Sequence, residues 1–155
     1  MTSRFRTVWG MTTTQAAAID VATIERLSRG FHDTFRNLAA RDDVFSADVF
    51  FDLNMPVWRF QLQGREAWET QLRTLAAHGG GDVRVDVVRT VPTVAGFVTE
   101  HEEYQHVDGQ DLSARRLWLC EVRDGLITNV VGYCSGEWDD DLRARHAAEA
   151  PMIRP

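Results

Sequence analysis

The hydrophobic period of the chain changes at a run of three glycines, Gly79-Gly80-Gly81, from three or four residues before it to two residues after it. Upstream, Ile24, Leu27, Phe31, Phe35 and Leu38 recur at helical spacing, with Glu25, Arg26, Arg29, Asp33 and Arg36 between them. That pattern puts the apolar side chains on one helix face and leaves Asp20 where an N-cap belongs. Arg41, Asp42 and Asp43 end the helix, Val44 and Phe45 make a short apolar turn, and Val49 to Leu53 reads as extended. After Gly64, the positions of Ala67, Trp68, Gln71, Leu72 and Leu75 mark a second helix that the three glycines stop. Downstream, Val83, Val85 and Val87 alternate with Arg84 and Asp86, the mark of a half-buried strand. A turn containing Pro92 and Gly96 follows, and three more strands are expected over Phe97 to Val107, Ala114 to Arg123 and Ile127 to Ser135. Asp108 to Asp111 makes one turn and Asp124-Gly125, a strong two-residue hairpin signal, the next. Trp138 to Glu149 reads as a terminal helix whose start is favoured by Asp139, Asp140 and Asp141. Two helices followed by an antiparallel meander define an α+β domain with its helices on one sheet face.

Composition narrows what such a domain does. At 155 residues the chain is one ordinary domain, expected over 19–150, with a disordered extension over 1–18 and a tail over 151–155. A net charge of -6 argues against nucleic-acid binding, which is driven by clustered positive charge. All 17 basic residues are arginine, so lysine Schiff-base chemistry and a lysine-containing phosphate loop are excluded. Two cysteines are too few for a disulfide framework, and no apolar run nears the ~20 residues of a membrane span. The expectation is a cytoplasmic protein with a small-molecule partner, no nucleic acid and no membrane.

Strand pairing assigns faces. A two-residue turn at Asp124-Gly125 sets Arg123 opposite Leu126, Cys120 opposite Asn129, Trp118 opposite Val131 and Arg116 opposite Tyr133. A four-residue loop at 108–111 sets Glu103 opposite Arg116 and His101 opposite Trp118. One face then carries His101, Glu103, Arg116, Trp118, Asn129, Tyr133 and Ser135, a mixture of ionisable and aromatic groups that fits a site under helices. A cross-strand Glu103–Arg116 ion pair on a solvated face is the alternative. The other face, with Leu117, Leu119 and Val130, is apolar enough to pack against a second subunit. A slip of one residue in either turn would invert the faces.

Element order from Ile19 to Leu142, with the turn Arg123-Asp124-Gly125-Leu126-Ile127, resembles the SnoaL-like branch of the nuclear transport factor two superfamily. The resemblance implies a cystatin-like cone, a curved antiparallel sheet wrapped around the N-terminal helices to enclose one pocket. It also implies acid–base chemistry without a cofactor. A narrower similarity, to limonene epoxide hydrolase, puts His101 at that family's arginine position and Glu103 at its first aspartate. By the same similarity Asp52 falls at its tyrosine, Asn54 retains its asparagine and Ser135 falls at its second aspartate.

These residues suggest proton transfer. His101 and Glu103 project the same way, and a carboxylate beside a histidine fixes its tautomer and makes it more basic. The expectation is His101 or Asp52 as the base, with Glu103 orienting. Tyr133, Asn129 and Asn54 would donate to a developing oxyanion, with Trp58 and Trp118 as apolar wall. His101, Glu103 and His106 spell H-x-E-x-x-H, but His106 points away on a continuous strand, so no metal is expected. His32, His78 and His146 read as surface or satisfied groups, and Cys120 and Cys134 as unpaired on opposite faces. The resulting expectation is a SnoaL-like isomerase, cyclase, dehydratase or epoxide hydrolase acting on a small polyketide- or terpenoid-like molecule. The alternative is a non-catalytic binding or dimerisation module of the same fold.

Overall fold

The computed structural model describes residues 19–78 and 83–150. The expectations placed on residues 1–18, 79–82 and 151–155 lie outside them. In chain order the elements are α1 (Val21–Asn37), β1 (Phe45–Met55), β2 (Trp58–Gln63), α2 (Arg65–His78), β3 (Arg84–Thr93), β4 (Gly96–Val107), β5 (Gln110–Arg123), β6 (Leu126–Cys134) and α3 (Asp140–Glu149). The six strands form one curved sheet in the order β2-β1-β6-β5-β4-β3, antiparallel throughout except that β1 runs parallel to β6.

Asp20 caps α1 as its position suggests, its carboxylate accepting from the backbone N–H of Thr23 at 2.9 Å. The stripe Ile24, Leu27, Phe31 and Phe35 is buried against the sheet. Arg26 ties the outer side of α1 to the β5–β6 turn by donating to the Gly125 carbonyl at 2.9 Å. Gly30 allows the close approach of the turn before β1, since a Cβ there would lie 2.3 Å from a Val44 methyl. Asp139 caps α3, and Asp140 and Asp141 occupy its first turn. Inside the sheet's concave face, Phe31, Phe45, Phe51, Trp68 and Trp118 are all under 2% exposed, with Phe51 and Trp68 stacked at 4.5 Å.

The structure corrects the sequence reading in four places. A hairpin strand, β2, follows a turn at Pro56-Val57, and Trp58 at its start is 70% exposed. Pro92 lies within β3 rather than in a turn, which an edge strand tolerates because no neighbour needs its N–H. The β4–β5 turn has two residues, Asp108-Gly109, so His101 faces Arg116 and Glu103 faces Ala114. That shift is by two positions and leaves side-chain faces unchanged.

The fourth correction does change them. Arg123 pairs with Leu126 and Val122 with Ile127, but the next pair is Glu121 with Asn129, so Thr128 is an extra residue on β6. Beyond this bulge Val130, Gly132 and Cys134 turn inward and Asn129, Val131 and Tyr133 turn outward. The bulge lets Ile127 and Val130 both reach zero exposure, where strict alternation from Ile127 would have buried Asn129. Gly132 then passes beneath Trp118: a Cβ there would lie 2.5 Å from the indole ring.

Candidate active site

Burial along β4 alternates, with Thr99, His101 and Glu103 inward. Arg116, Trp118 and Cys120 of β5 share that face. The sequence reading therefore brings together four of its site residues, His101, Glu103, Arg116 and Trp118. Glu103 is the centre of the group. Its Oε1 lies 2.9 Å from His101 Nε2, and its Oε2 lies 2.7 Å from Arg116 Nε in an ion pair whose side chains are 6% and 11% exposed. Burial would push the Glu103 carboxyl up, but the His101 hydrogen bond and the Arg116 guanidinium outweigh it and hold the group below the usual carboxylate range. Arg116 is subject to the same balance: burial disfavours its charge, and Glu103 more than restores it.

A cavity of about 680 Å³ opens beside this group, between α2, the C-terminal end of α1 and the concave sheet face. Its wall is mostly apolar, from Phe35, Leu53, Phe60, Trp68, Leu72 and Trp118, and Glu103 and Arg116 are on it. Leu38 is on it as well, in the left-handed conformation (φ 52°) that terminates α1. Arg116 contributes more than charge. One terminal nitrogen, Nη1, donates to Met55 Sδ at 3.4 Å, while Nε, 2.7 Å from Glu103 Oε2, is buried and makes an ion pair without a well-aligned hydrogen bond. His101, by contrast, does not reach the cavity: it is fully buried, its ring edge-on to Phe35 at 5.0 Å. The roles expected of the pair are thus exchanged, with the carboxylate at the wall and the histidine behind it.

The other predicted residues lie elsewhere. Asp52 is on the outer face of β1 because Val49, Phe51 and Leu53 take the inward positions. Arg59 of β2 grips it at 2.9 and 2.5 Å and holds its carboxyl below the usual range, so Asp52 is not poised as a base in the cavity. Asn54 also faces out, 3.4 Å from the Gly132 carbonyl. Trp58 is exposed on β2. The Thr128 bulge carries Asn129 and Tyr133 to the outer face, where Tyr133 is 53% exposed. Ser135 is exposed and accepts from the backbone N–H of Arg115.

The bulge also puts both cysteines on the inner face, not on opposite faces, and both are free. Cys134 is on the cavity wall, whereas Cys120 is deeply buried and its thiol is pushed far up, which makes it inert as a nucleophile. His106 pairs at the surface with Asp111 at 2.6 Å, away from His101. Among the described residues no three His, Cys, Asp or Glu side chains are grouped to hold a metal, and no helix is long and apolar enough to cross a membrane.

His32, read from the sequence as a surface or satisfied group and not as a site residue, is satisfied directly behind the site. His32 of α1 is 3% exposed, and its Nδ1 lies 3.2 Å from His101 Nδ1. Burial first, then the neighbouring His101 and Arg36, push His32 down to about 3, so it is neutral. The available signal was a polar pair, Ser28 and His32, one helical turn apart and flanking the apolar stripe.

Fold and site together define an α+β cone whose apolar cavity has a buried carboxylate–guanidinium pair on its wall. Solved structures with this architecture include an NTF2-like protein from Anabaena variabilis, at 12% identity and TM-score 0.63 over 78% of this chain and 96% of that one. A ketosteroid isomerase-like protein from Catenulispora acidiphila, in complex with trimethylamine, matches at 17% identity and TM-score 0.59 over 69% and 83%. An LEH-like epoxide hydrolase from M. tuberculosis matches at 21% and TM-score 0.58 over 84% and 98%. No protein-family profile and no curated protein matches the chain. The likenesses establish the fold: this is an NTF2-like cone, as the SnoaL-like resemblance implies.

Proposed function

We propose that the protein is a cofactor-independent acid–base enzyme that shifts a double bond in a small, largely apolar ketone. The observation that carries this reading is Glu103, a buried carboxylate on an apolar wall with an arginine N–H edge beside it. A substrate carbonyl oxygen accepts from the Arg116 guanidinium on the cavity wall, and Glu103 removes a proton from the adjacent carbon. The C–H bond breaks, an O–H bond forms on Glu103, and the electron pair moves onto the carbonyl oxygen as an enolate held by Arg116. Glu103 then returns the proton to the far end of the conjugated system, so the product is an isomer and no electrons are exchanged with any other reagent. Sharing Arg116 with the carbonyl weakens its hold on Glu103 and raises the carboxylate's basicity toward working pH. The cavity volume suits a molecule of one to three rings.

Epoxide hydrolysis is the less supported reaction. The positions that its resemblance matches to that family's tyrosine and asparagine, Asp52 and Asn54, face out, and the inward neighbours Leu53 and Met55 are apolar. A non-catalytic binding module remains the second reading, favoured by the mutual engagement of Glu103 and Arg116. The test is deuterium incorporation, followed by NMR in heavy water, into a panel of cyclic β,γ-unsaturated ketones. The enzyme reading expects exchange and isomerisation that fall at least about 100-fold in Glu103→Gln while binding persists. Ketones that bind without exchange in the wild type would establish the module instead.

A homodimer through the outer sheet face belongs to the same proposal. Val91, Val98, Leu119 and Val131 stand side by side across four strands on that face, with Leu117 and Tyr133 adjoining, all partly or well exposed. Leu119→Asp should give a monomer by sedimentation if the proposal holds.

A further inference from the structure

Glu103 is the inner end of an unbroken chain of hydrogen-bonding groups that runs through the core to the seam between α1 and β3. From Glu103 the links are His101 Nε2 at 2.9 Å, His101 Nδ1 to His32 Nδ1 at 3.2 Å, and His32 Nε2 to Thr99 Oγ1 at 2.9 Å. Thr99 Oγ1 then meets Thr90 Oγ1 at 2.9 Å, and Thr90 meets Ser28 Oγ at 2.9 Å. His101, His32 and Thr99 are at most 3% exposed, whereas Thr90, on the edge strand, is partly open to solvent. The cavity and the outlet therefore lie at opposite ends of the chain. The charged groups around the two histidines are Arg36 on α1, Glu103 on β4 and Arg116 on β5.

We infer that this chain is a proton relay that connects Glu103 to solvent, with His32 and Thr99 as its positioning residues. With both histidines neutral, as the relay requires, the 2.9 Å contact of His101 Nε2 with Glu103, shorter than the 3.4 Å contact from the Trp118 indole to the same nitrogen, sets the proton on every link. An ionised Glu103 requires His101 Nε2 to carry a proton; neutral His101 then offers a bare Nδ1, so His32 Nδ1 carries one. His32 Nε2 is then bare and accepts from the Thr99 hydroxyl, which accepts from Thr90, which accepts from Ser28. Moving each proton one link toward the cavity protonates Glu103, inverts both histidine tautomers, rotates the hydroxyls and takes one proton from water at the Thr90–Ser28 end. No histidine becomes charged and nothing is oxidised. In the second arrangement Thr99 donates to the Arg89 carbonyl, 3.2 Å away, so that every hydroxyl still has an acceptor. Run in reverse, the same shift carries to water a proton that Glu103 has taken in the cavity.

The use of the relay in turnover rests on the proposed isomerisation, but its existence is tested without a substrate. Glu103→Gln mimics the protonated acid: Arg116 demands the amide oxygen, which leaves the amide NH2 to donate to His101 Nε2. Nitrogen-15 NMR of the full chain at neutral pH should therefore find protons on His101 Nε2 and His32 Nδ1 in the wild type. In Glu103→Gln both should move to the opposite ring nitrogens. A His32 tautomer unaltered by the substitution, or an imidazolium in either protein, would overturn the relay. The second measurement uses the labelled ketone and a folded Thr99→Val variant. Loss of label to solvent should slow roughly 100-fold relative to isomerisation, and Thr99→Ser should restore it. Equal label loss in Thr99→Val and wild type would also overturn the relay. Absence of turnover on every ketone would sink the isomerase reading alone, with the tautomer result still deciding the relay.

Discussion

Substituting methionine for Arg116 keeps a side chain of similar length and deletes the charge that faces Glu103. Two unit charges 2.7 Å apart attract by about 6 kcal/mol at an effective dielectric of ~20, and most of that offsets the desolvation of the two ions. The variant leaves the carboxylate stranded, with His101 as its remaining partner, so the expected loss is about 3–5 kcal/mol. For a domain of this size that is a fall in melting temperature of about 10 °C. Acid should relieve it. In the wild type the folded carboxyl lies below its unfolded value of 4.5, so it contributes stability above that pH that is lost as pH falls through the depressed folded value. In the variant burial dominates and raises the folded value, so the penalty is full at pH 7 and shrinks toward pH 5 and below. Urea unfolding at both pH values measures this directly. The double variant Glu103→Leu/Arg116→Met should recover most of the loss, because neither ion is then left alone. A cost under about 1 kcal/mol at pH 7, a cost that acid leaves unchanged, or strictly additive losses would refute the reasoning.

Three further outcomes follow from particular contacts. Gly132→Ala should cost about 1–3 kcal/mol and alter the near-ultraviolet circular dichroism of Trp118, because the new methyl meets the indole at 2.5 Å; an unchanged spectrum and stability would contradict the packing. Because burial holds His32 neutral down to about 3 while the unfolded histidine protonates near 6.5, stability should be intact above pH 6.5. It should fall by about 2 kcal/mol by pH 5, and His32→Gln should flatten that slope in a denaturation series between pH 7.5 and 5. Asp52→Asn should leave turnover unaltered and cost at most about 1 kcal/mol, since its partner Arg59 is exposed; activity lost in a folded Asp52→Asn would return this carboxylate to the site.

Much of the fold is legible in the sequence because its signals are local. The Asp20 cap, the helical stripe from Ile24 to Phe35 and the Asp124-Gly125 turn each act within a few residues, and each appears in the structure. The inward set His101, Glu103, Arg116 and Trp118 survived an error in turn length because a two-residue shift preserves parity. Tyr133 and Asn129 were lost to a one-residue bulge at Thr128, which is driven by the burial of Val130 against distant elements and leaves no turn residue to mark it. Asp52 and Asn54 depended on the facing of β1, and there Phe51 and Leu53 have the stronger demand for the core. His32 was hidden for the opposite reason. Its partners Thr99 and His101 lie far along the chain, and only the folded sheet brings them under α1.

The parallel contact between β1 and β6 has a consequence for how the protein is made. Phe51 finds its backbone partner at Val130, and Arg26 of the first helix finds one at Gly125. A nascent chain emerging from the ribosome therefore holds its leading helix and strand with one sheet edge unfilled until nearly the whole domain has been synthesised. Such distant pairing slows folding and lengthens exposure of the strand's backbone to other chains. The last strand acts as a keystone between β1 and β5, and a polypeptide halted just before it has most of the residues of the cone but no continuous sheet to hold them.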